Sequence, residues 1–138
     1  MMNITSFLKP FYELTLVYDN QTLSEALAIM TKNRFTTVPV ITRDQKYVGS
    51  LTEGDILHFI LENADCLNPK NLVKYQVSQV KRFRDYEAVR VDSTMPMLLA
   101  KASNENFVPV IDQNENFAGI ITRKTLLEYF FEHNFMVL

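Results

Sequence analysis

Two four-residue stretches, Thr52-Glu53-Gly54-Asp55 and Thr122-Arg123-Lys124-Thr125, carry the residue types best suited to chemistry in this chain. Each ends one apolar run and opens another with helical spacing, which marks a helix start with threonine as its cap. Amides at such a start lack partners within the helix and favour an anion. In the first stretch Glu53 and Asp55 fall in the first turn, where the helix dipole favours acids. A capped helix alone would account for them. The Asp55 carboxylate has a second use, because it can accept hydrogen bonds from both hydroxyls of a diol. In the second stretch Arg123 and Lys124 take the first turn, where cations are disfavoured by roughly a few tenths of a kcal/mol. An anion at that end would reverse the sign, with guanidinium and ammonium both reaching phosphate oxygens. Without one they are two solvated surface charges. Thr125 stands where Asp55 stands in the first stretch, so diol chemistry belongs to the first alone.

The two stretches occupy equivalent places in an internal repeat. Val38-Pro39-Val40-Ile41 recurs about seventy residues on as Val108-Pro109-Val110-Ile111, and Gly49-Ser50-Leu51-Thr52 recurs as Gly119-Ile120-Ile121-Thr122. A repeat decides architecture before any single element does. Each copy reads as strand, helix, strand, strand, helix. In the first these are Leu14 to Tyr18, a helix through Leu23, Ala26, Leu27 and Met30 capped by Thr22 or Ser24, Thr37 to Thr42, Tyr47 to Leu51, and Thr52 to about Asn63. In the second they are Ala88 to Val91, Met95 to Ser103, Phe107 to Ile111, Phe117 to Ile121, and Thr122 to about Asn134. Hairpin turns fall at 43–46 and 113–115. Asp65 to Lys70 reads as a loop, and short helices at Ile4-Thr5-Ser6-Phe7 and Val77-Ser78-Gln79-Val80 lead into the two copies. Pro96 sits near a helix start, where its missing N–H costs little. The divisions are 1–64 for repeat 1, 65–73 for a linker and 74–138 for repeat 2.

The chain has 138 residues, 47% hydrophobic and 22% charged, enough for one globular unit or two very small ones. Halves this short are marginal alone, so a shared core is expected. A formal charge of −2 provides no electrostatic footprint for nucleic acid. The single cysteine, Cys66, has no partner for an internal disulfide, and no basic neighbour to favour a thiolate. No apolar run reaches the roughly twenty residues that span a bilayer, and Met1 to Lys9 does not read as a signal peptide. The expectation is a cytoplasmic protein without membrane or nucleic-acid partners.

A repeated unit of this size, with an apolar-Pro-Val-Ile middle strand, resembles the CBS domain. Gly49, Thr52 and Asp55 match that family's ribose-binding signature, Gly-x-x-Thr-x-x-Asp at a strand-to-helix junction. The resemblance covers nearly the whole chain and implies an α+β fold of two βαββα repeats about a pseudo-two-fold axis, a tandem pair often called a Bateman module. A narrower likeness joins Phe35-Thr36-Thr37-Val38-Pro39, Asn106-Phe107-Val108 and Gly119-Ile120-Ile121-Thr122-Arg123-Lys124 to small Gram-positive CBS proteins that bind cyclic di-AMP. Glu13 departs from those relatives, which tend to be basic just before the first strand. In the family each pocket joins the front of one copy to the helix start of the other. That implies a site A of Thr15, Leu16, Phe35, Thr36, Thr37, Val38, Pro39, Thr122, Arg123 and Lys124. It implies a site B of Ala88, Val89, Asn106, Phe107, Val108, Pro109, Thr52 and Asp55. Site A suits a dinucleotide with two phosphates, and site B a mononucleotide. Taken singly, Phe35 and Phe107 read as ordinary core.

The helices carry a separate signal. Leu126, Leu127, Tyr129, Phe130, Phe131, Phe135 and Met136 are apolar on too many faces for one buried stripe, and Ile56, Leu57, Phe59, Ile60 and Leu61 behave alike. Helices 56–62 and 126–136 are therefore expected to build a homodimer, unless each covers the other within the chain. His58 and His133 have no ligand set at metal spacing. Lys81, Arg82 and Arg84 form a charge run that is a solvated face or a partner's dock. With no nucleophile-base pair, no phosphate-cradling Gly-rich loop and only three glycines, the chain reads as a non-catalytic adenine-nucleotide sensor. Its expected ligand is cyclic di-AMP or AMP, ADP or ATP, with no cofactor or metal, and it controls an unidentified partner protein. The competing readings are a ligand-independent dimerisation or protein-interaction module and a small enzyme, for which only Asp55 speaks.

Overall fold

Short β-branched strands broken by polar turns, alternating with helices that open on threonine, fold as their spacing requires. The computed structural model describes residues 3–83 and 86–137, with side chains through Asn134. Met1 and Arg84, and the side chains of Phe135 and Met136, lie outside the described residues. In chain order the elements are β1 (Lys9–Pro10), β2 (Val17–Tyr18), α1 (Leu23–Asn33), β3 (Thr37–Ile41), β4 (Tyr47–Thr52) and α2 (Glu53–Glu62), then β5 (Val89–Arg90), α3 (Met95–Ala102), β6 (Phe107–Ile111), β7 (Phe117–Thr122) and α4 (Arg123–Val137). The βαββα order recurs, and the mixed α/β repeats are those the sequence predicts. The first strand of each copy is shorter than expected. Leu14 caps a short 3-10 helix, Phe11–Glu13, instead of starting β2. The expected loop after α2 winds into two 3-10 helices, Ala64–Leu67 and Pro69–Lys74.

The two copies use one register. β3 pairs in parallel with β2 through Val40 and Ile41, and antiparallel with β4 from Thr37 opposite Thr52 to Ile41 opposite Tyr47. β6 repeats this with β5 through Val110 and Ile111, and with β7 from Phe107 opposite Thr122 to Ile111 opposite Phe117. Each hairpin shifts register at the same place, between Val40 and Ile41 and between Val110 and Ile111. Pro39 and Pro109 precede the stretch shared with β2 or β5, so each lacks its N–H where its strand has one neighbour instead of two. The turns need one residue in the left-handed region, Gln45 (φ 67°) and Glu115 (φ 66°).

The chain divides into two compact units that do not follow the repeat in order. One comprises Thr15–Asp85, the other Met1–Leu14 with Tyr86–Leu138. The first holds the three-stranded sheet β2-β3-β4, and the second the four-stranded sheet β1-β7-β6-β5. Each unit contains a cluster of buried side chains. Val17, Leu23, Met30, Val38, Val40, Leu51 and Ile56 pack with Cys66, Leu72, Val77 and Val80 from the segment after α2. Val89, Leu98, Val108, Val110, Ile121 and Leu126 pack with Ile4 and Phe7 from the N-terminus. Each repeat thus completes a core too small on its own with the segment that leads into the other repeat.

Candidate functional site

Both helix starts are built as their threonines imply. Thr52 Oγ1 accepts the Asp55 N–H at 3.0 Å, and Asp55 Oδ2 accepts the Thr52 N–H at 3.0 Å, a reciprocal capping box. At α4, Thr122 Oγ1 accepts the Thr125 N–H at 3.1 Å, and the two hydroxyls lie 2.8 Å apart. The amide of the first helical residue is taken by the adjoining strand approach. Glu53 N–H donates to the Thr36 carbonyl and Arg123 N–H to the Asn106 carbonyl, each at 3.0 Å. Of the first three amides of α4, the cap and the strand approach take two, leaving that of Lys124. An anion there meets a narrower cradle than an open helix end and depends more on the side chains.

Arg123 is not adrift in solvent. Its Nε donates to the Ala102 carbonyl at 2.9 Å, the last residue of α3, so a cation also satisfies a helix C-terminus. That bond fixes the guanidinium beside the start of α4. Lys124 is well exposed and sits 4.0 Å from Glu128 one turn on, a weak surface pair. Asp55, by contrast, is 3% exposed, and its second oxygen, Oδ1, accepts the Phe83 N–H at 3.1 Å.

In each unit, the strand half of one expected site stands beside the helix-start half of the other. In the first unit Thr36, Thr37, Val38 and Pro39 of site A adjoin Thr52 and Asp55 of site B, through the Glu53–Thr36 bond and the Thr37–Thr52 register. Thr15 and Leu16 of site A run into β2, half-buried. In the second unit Asn106, Phe107, Val108 and Pro109 of site B adjoin Thr122, Arg123 and Lys124 of site A. Ala88 and Val89 of site B lie at β5. Val38, Pro39, Val108 and Pro109 are buried and offer backbone rather than side chain.

The two phenylalanines are not equivalent. The register aligns Thr37 with Phe107, so Phe35 lies two residues ahead of its strand. Arg34 closes α1 in the left-handed region (φ 58°), and the turn leaves Phe35 46% exposed. Phe107 opens β6, is 6% exposed, and packs under the Tyr86 ring with centroids 4.7 Å apart. Ordinary core describes Phe107 and not Phe35. Tyr86 escaped the sequence reading because it lies in an irregular segment with no periodicity to mark it.

Among the described residues no group of His, Cys, Asp or Glu is arranged to hold a metal ion, and no helix is long and apolar enough to cross a membrane. The Cys66 thiol is buried, and burial, with the neighbouring Asp65 charge, pushes its pKa up, away from a reactive thiolate.

A tandem pair of βαββα repeats with a threonine-capped helix start at each Gly-x-x-Thr is the fold of a paired regulatory domain. The CBS domain family matches residues 10–62 and 77–132, and the chain belongs to it. A protein of Methanocaldococcus jannaschii is 25% identical over 139 residues, spanning 81% of this chain and 83% of its own. A homoserine O-acetyltransferase of Methanococcus vannielii is 24% identical over 110 residues, but the chain covers only 21% of that enzyme. Among solved structures, CbpB in complex with c-di-AMP superposes with a TM-score of 0.87 at 25% identity, covering 98% of this chain and 89% of that one. A CBS domain protein from Streptococcus pneumoniae gives 0.79 at 29% identity, covering 89% and 82%. CBS pairs of this kind are generally regulatory.

Proposed function

We propose that this chain is a non-catalytic regulatory module of the cytoplasm that binds an adenine nucleotide and passes the bound state to a partner protein. Cyclic di-AMP is the favoured ligand, with AMP, ADP and ATP as substitutes. One observation carries the reading: Arg123 and Lys124 occupy the first turn of α4, where helix α2 carries acids, and Arg123 is held in place there. Two cations at the positive end of a dipole are favourable when phosphates share the site. The likeness to CbpB in complex with c-di-AMP supports the same ligand. Phe35 and the Thr36 edge, exposed ahead of β3, supply the apolar and polar surface an adenine needs. Under this reading the chain works as a homodimer through α2 and α4.

The test is the melting temperature of the purified chain with cyclic di-AMP, AMP, ADP, ATP and a cyclic di-GMP control. A ligand at a hundred times its Kd adds about 2.7 kcal/mol, several degrees for a domain of this size. Arg123→Ala should abolish the shift while leaving the unliganded transition cooperative. An unchanged shift in that variant removes Arg123 from the site. A second reading is a ligand-independent interaction module. It is favoured by the bonds that Arg123 and Lys124 already make to Ala102 and Glu128, and it predicts no shift with any nucleotide.

A further inference from the structure

Arg123 holds the stretch that joins α3 to β6, residues 103–106, at both of its ends. Its Nε donates to the Ala102 carbonyl at 2.9 Å, and its own N–H donates to the Asn106 carbonyl at 3.0 Å. The two units differ in how the preceding helix stops. In the first unit α1 closes on Arg34 in the left-handed region, whose N–H reaches the Met30 and Thr31 carbonyls. In the second unit Ser103 stays right-handed at the end of α3 (φ −68°), and the Ala102 carbonyl takes its proton from Arg123 instead. Glu53, at the same place in the first unit, supplies the main-chain bond, to Thr36, but its carboxylate has no proton to offer a carbonyl. Past the clasp the connector ends on Asn106, whose Oδ1 accepts the Tyr86 hydroxyl at 3.1 Å, and Tyr86 in turn packs on Phe107.

We propose that Arg123 is a positioning residue as well as a phosphate ligand, one that couples anion binding at α4 to the order of residues 103–106. The inference rests on the nucleotide-binding reading and adds the route by which the bound state leaves that site. A guanidinium carries five N–H donors, of which Ala102 takes one. The Nη edge makes no hydrogen bond or ion pair among the described residues, so it can grip two phosphate oxygens while Nε stays on Ala102. The stem of Arg123 lies along the apolar groove of Leu99, Leu126, Leu127 and Phe130 between α3 and α4. A phosphate on the Nη edge immobilises a side chain that is already tied to the end of α3. The clasped form therefore binds the anion better than the open form, and the anion in return favours the clasped connector. That reciprocity makes the Asn106 edge and its Tyr86 partner respond to an anion held at Arg123.

Two substitutions separate the clasp from the charge. The amide nitrogen of glutamine stands at the chain position of arginine Nε, so Arg123→Gln keeps a donor for Ala102 and loses the Nη edge. Lysine carries a methylene at that position, so Arg123→Lys keeps the charge and loses the donor. Arg123 lies at the surface, so neither variant disturbs the core. The measurement is hydrogen exchange by mass spectrometry on the full chain and both variants, free and with cyclic di-AMP, read over 103–107 with β7 as the control. In the free state Arg123→Lys should exchange about tenfold faster than wild type over 103–107. Arg123→Gln should stay close to wild type there, and β7 should be unchanged in all three. Cyclic di-AMP should slow the connector further in wild type and in neither variant. Equal exchange in free wild type and Arg123→Lys overturns the clasp. A connector that fails to tighten when cyclic di-AMP raises the wild-type melting temperature, or that tightens as much in the variants, overturns the coupling and leaves the nucleotide reading standing. If cyclic di-AMP does not raise that temperature, the nucleotide reading falls and the coupling with it, and the free-state comparison alone decides the clasp.

Discussion

Gly119 shows how one residue lets an element into place. Its φ of 152° lies where L side chains rarely go, and a Cβ built there would stand 2.1 Å from the Lys9 carbonyl oxygen. The glycine is what lets β1 approach β7 as its outer neighbour, Pro10 opposite Gly119. Gly119→Ala should cost at least the ~1–3 kcal/mol of an overpacked contact, read as a lower urea midpoint. An unchanged midpoint would mean β1 contributes nothing to the second unit. Cys66 makes the opposite point, a reactive residue type rendered inert by its surroundings. Buried and with its thiol pKa raised by burial, it should react with an aromatic disulfide reagent at least ~100-fold more slowly in the native chain than in urea, because reaction awaits local opening. Equal rates would place the thiol at the surface.

At the scale of elements, the helix caps set the response to acid. In the capping box of α1, hydrogen bonds from the Thr22 amide and hydroxyl hold the Glu25 carboxyl below the ordinary glutamate range. The hydrogen bond and charge of Lys101 do the same for Glu87. Each acid ionises more readily folded than unfolded. Its contribution is therefore complete above the unfolded pKa and is lost as pH falls through the lowered folded value. The melting temperature should fall across that acidic window, and Glu25→Gln, which keeps an accepting oxygen but cannot titrate, should make the fall shallower. An identical slope in that variant would remove Glu25 as a contributor. The N-terminal segment is a second element-scale device. Ile4 and Phe7 are buried in the second unit and Lys9 pairs with Ile120. Deleting residues 1–10 should raise hydrogen exchange in β7 and β6 while β3 and β4 stay protected. Uniform loss across both sheets would show the units to be energetically inseparable.

Apolar side chains stand uncovered on three helices, Met97 and Leu99 on α3 among them. Leu57 and Leu61 on α2, and Leu127, Phe130 and Phe131 on α4, are exposed, Leu61 as much as 76%. Of the apolar side chains, only Ile56 on α2 and, among the described side chains of α4, Leu126 are fully buried. Patches of this kind usually mark interfaces. The expected state is a homodimer, sedimenting at about twice the 16.0 kDa chain mass, and Leu127→Glu with Phe131→Glu should return it to the monomer. A wild-type monomer at micromolar concentration would end that expectation. The fold was largely legible beforehand because its cause is local. Alternating and helical apolar periods, threonine caps and repeated Pro-Val-Ile and Gly-x-x-Thr spacings all report on residues a few positions apart. The site was less legible, because it depends on which distant groups a side chain meets. Arg123 was singled out by its charge in an unfavourable place, but nothing near it in sequence announces Ala102.

By itself, then, the chain's order of residues determined the doubled βαββα plan, the two helix starts and the sign of the charge at each. These follow from backbone periodicity, cap chemistry and the helix dipole, which act over one or two turns. Only the tertiary structure decided that each repeat borrows the segment leading into the other, since core completion depends on total buried volume rather than on chain order. It alone decided that Phe35 is bare while Phe107 is covered, and that the Asp55 carboxylate is already satisfied. Both outcomes turn on residues 28 and 21 positions away in the chain, Phe83 and Tyr86. Neither carries any local pattern, and burial and hydrogen-bond satisfaction are properties of the assembled fold.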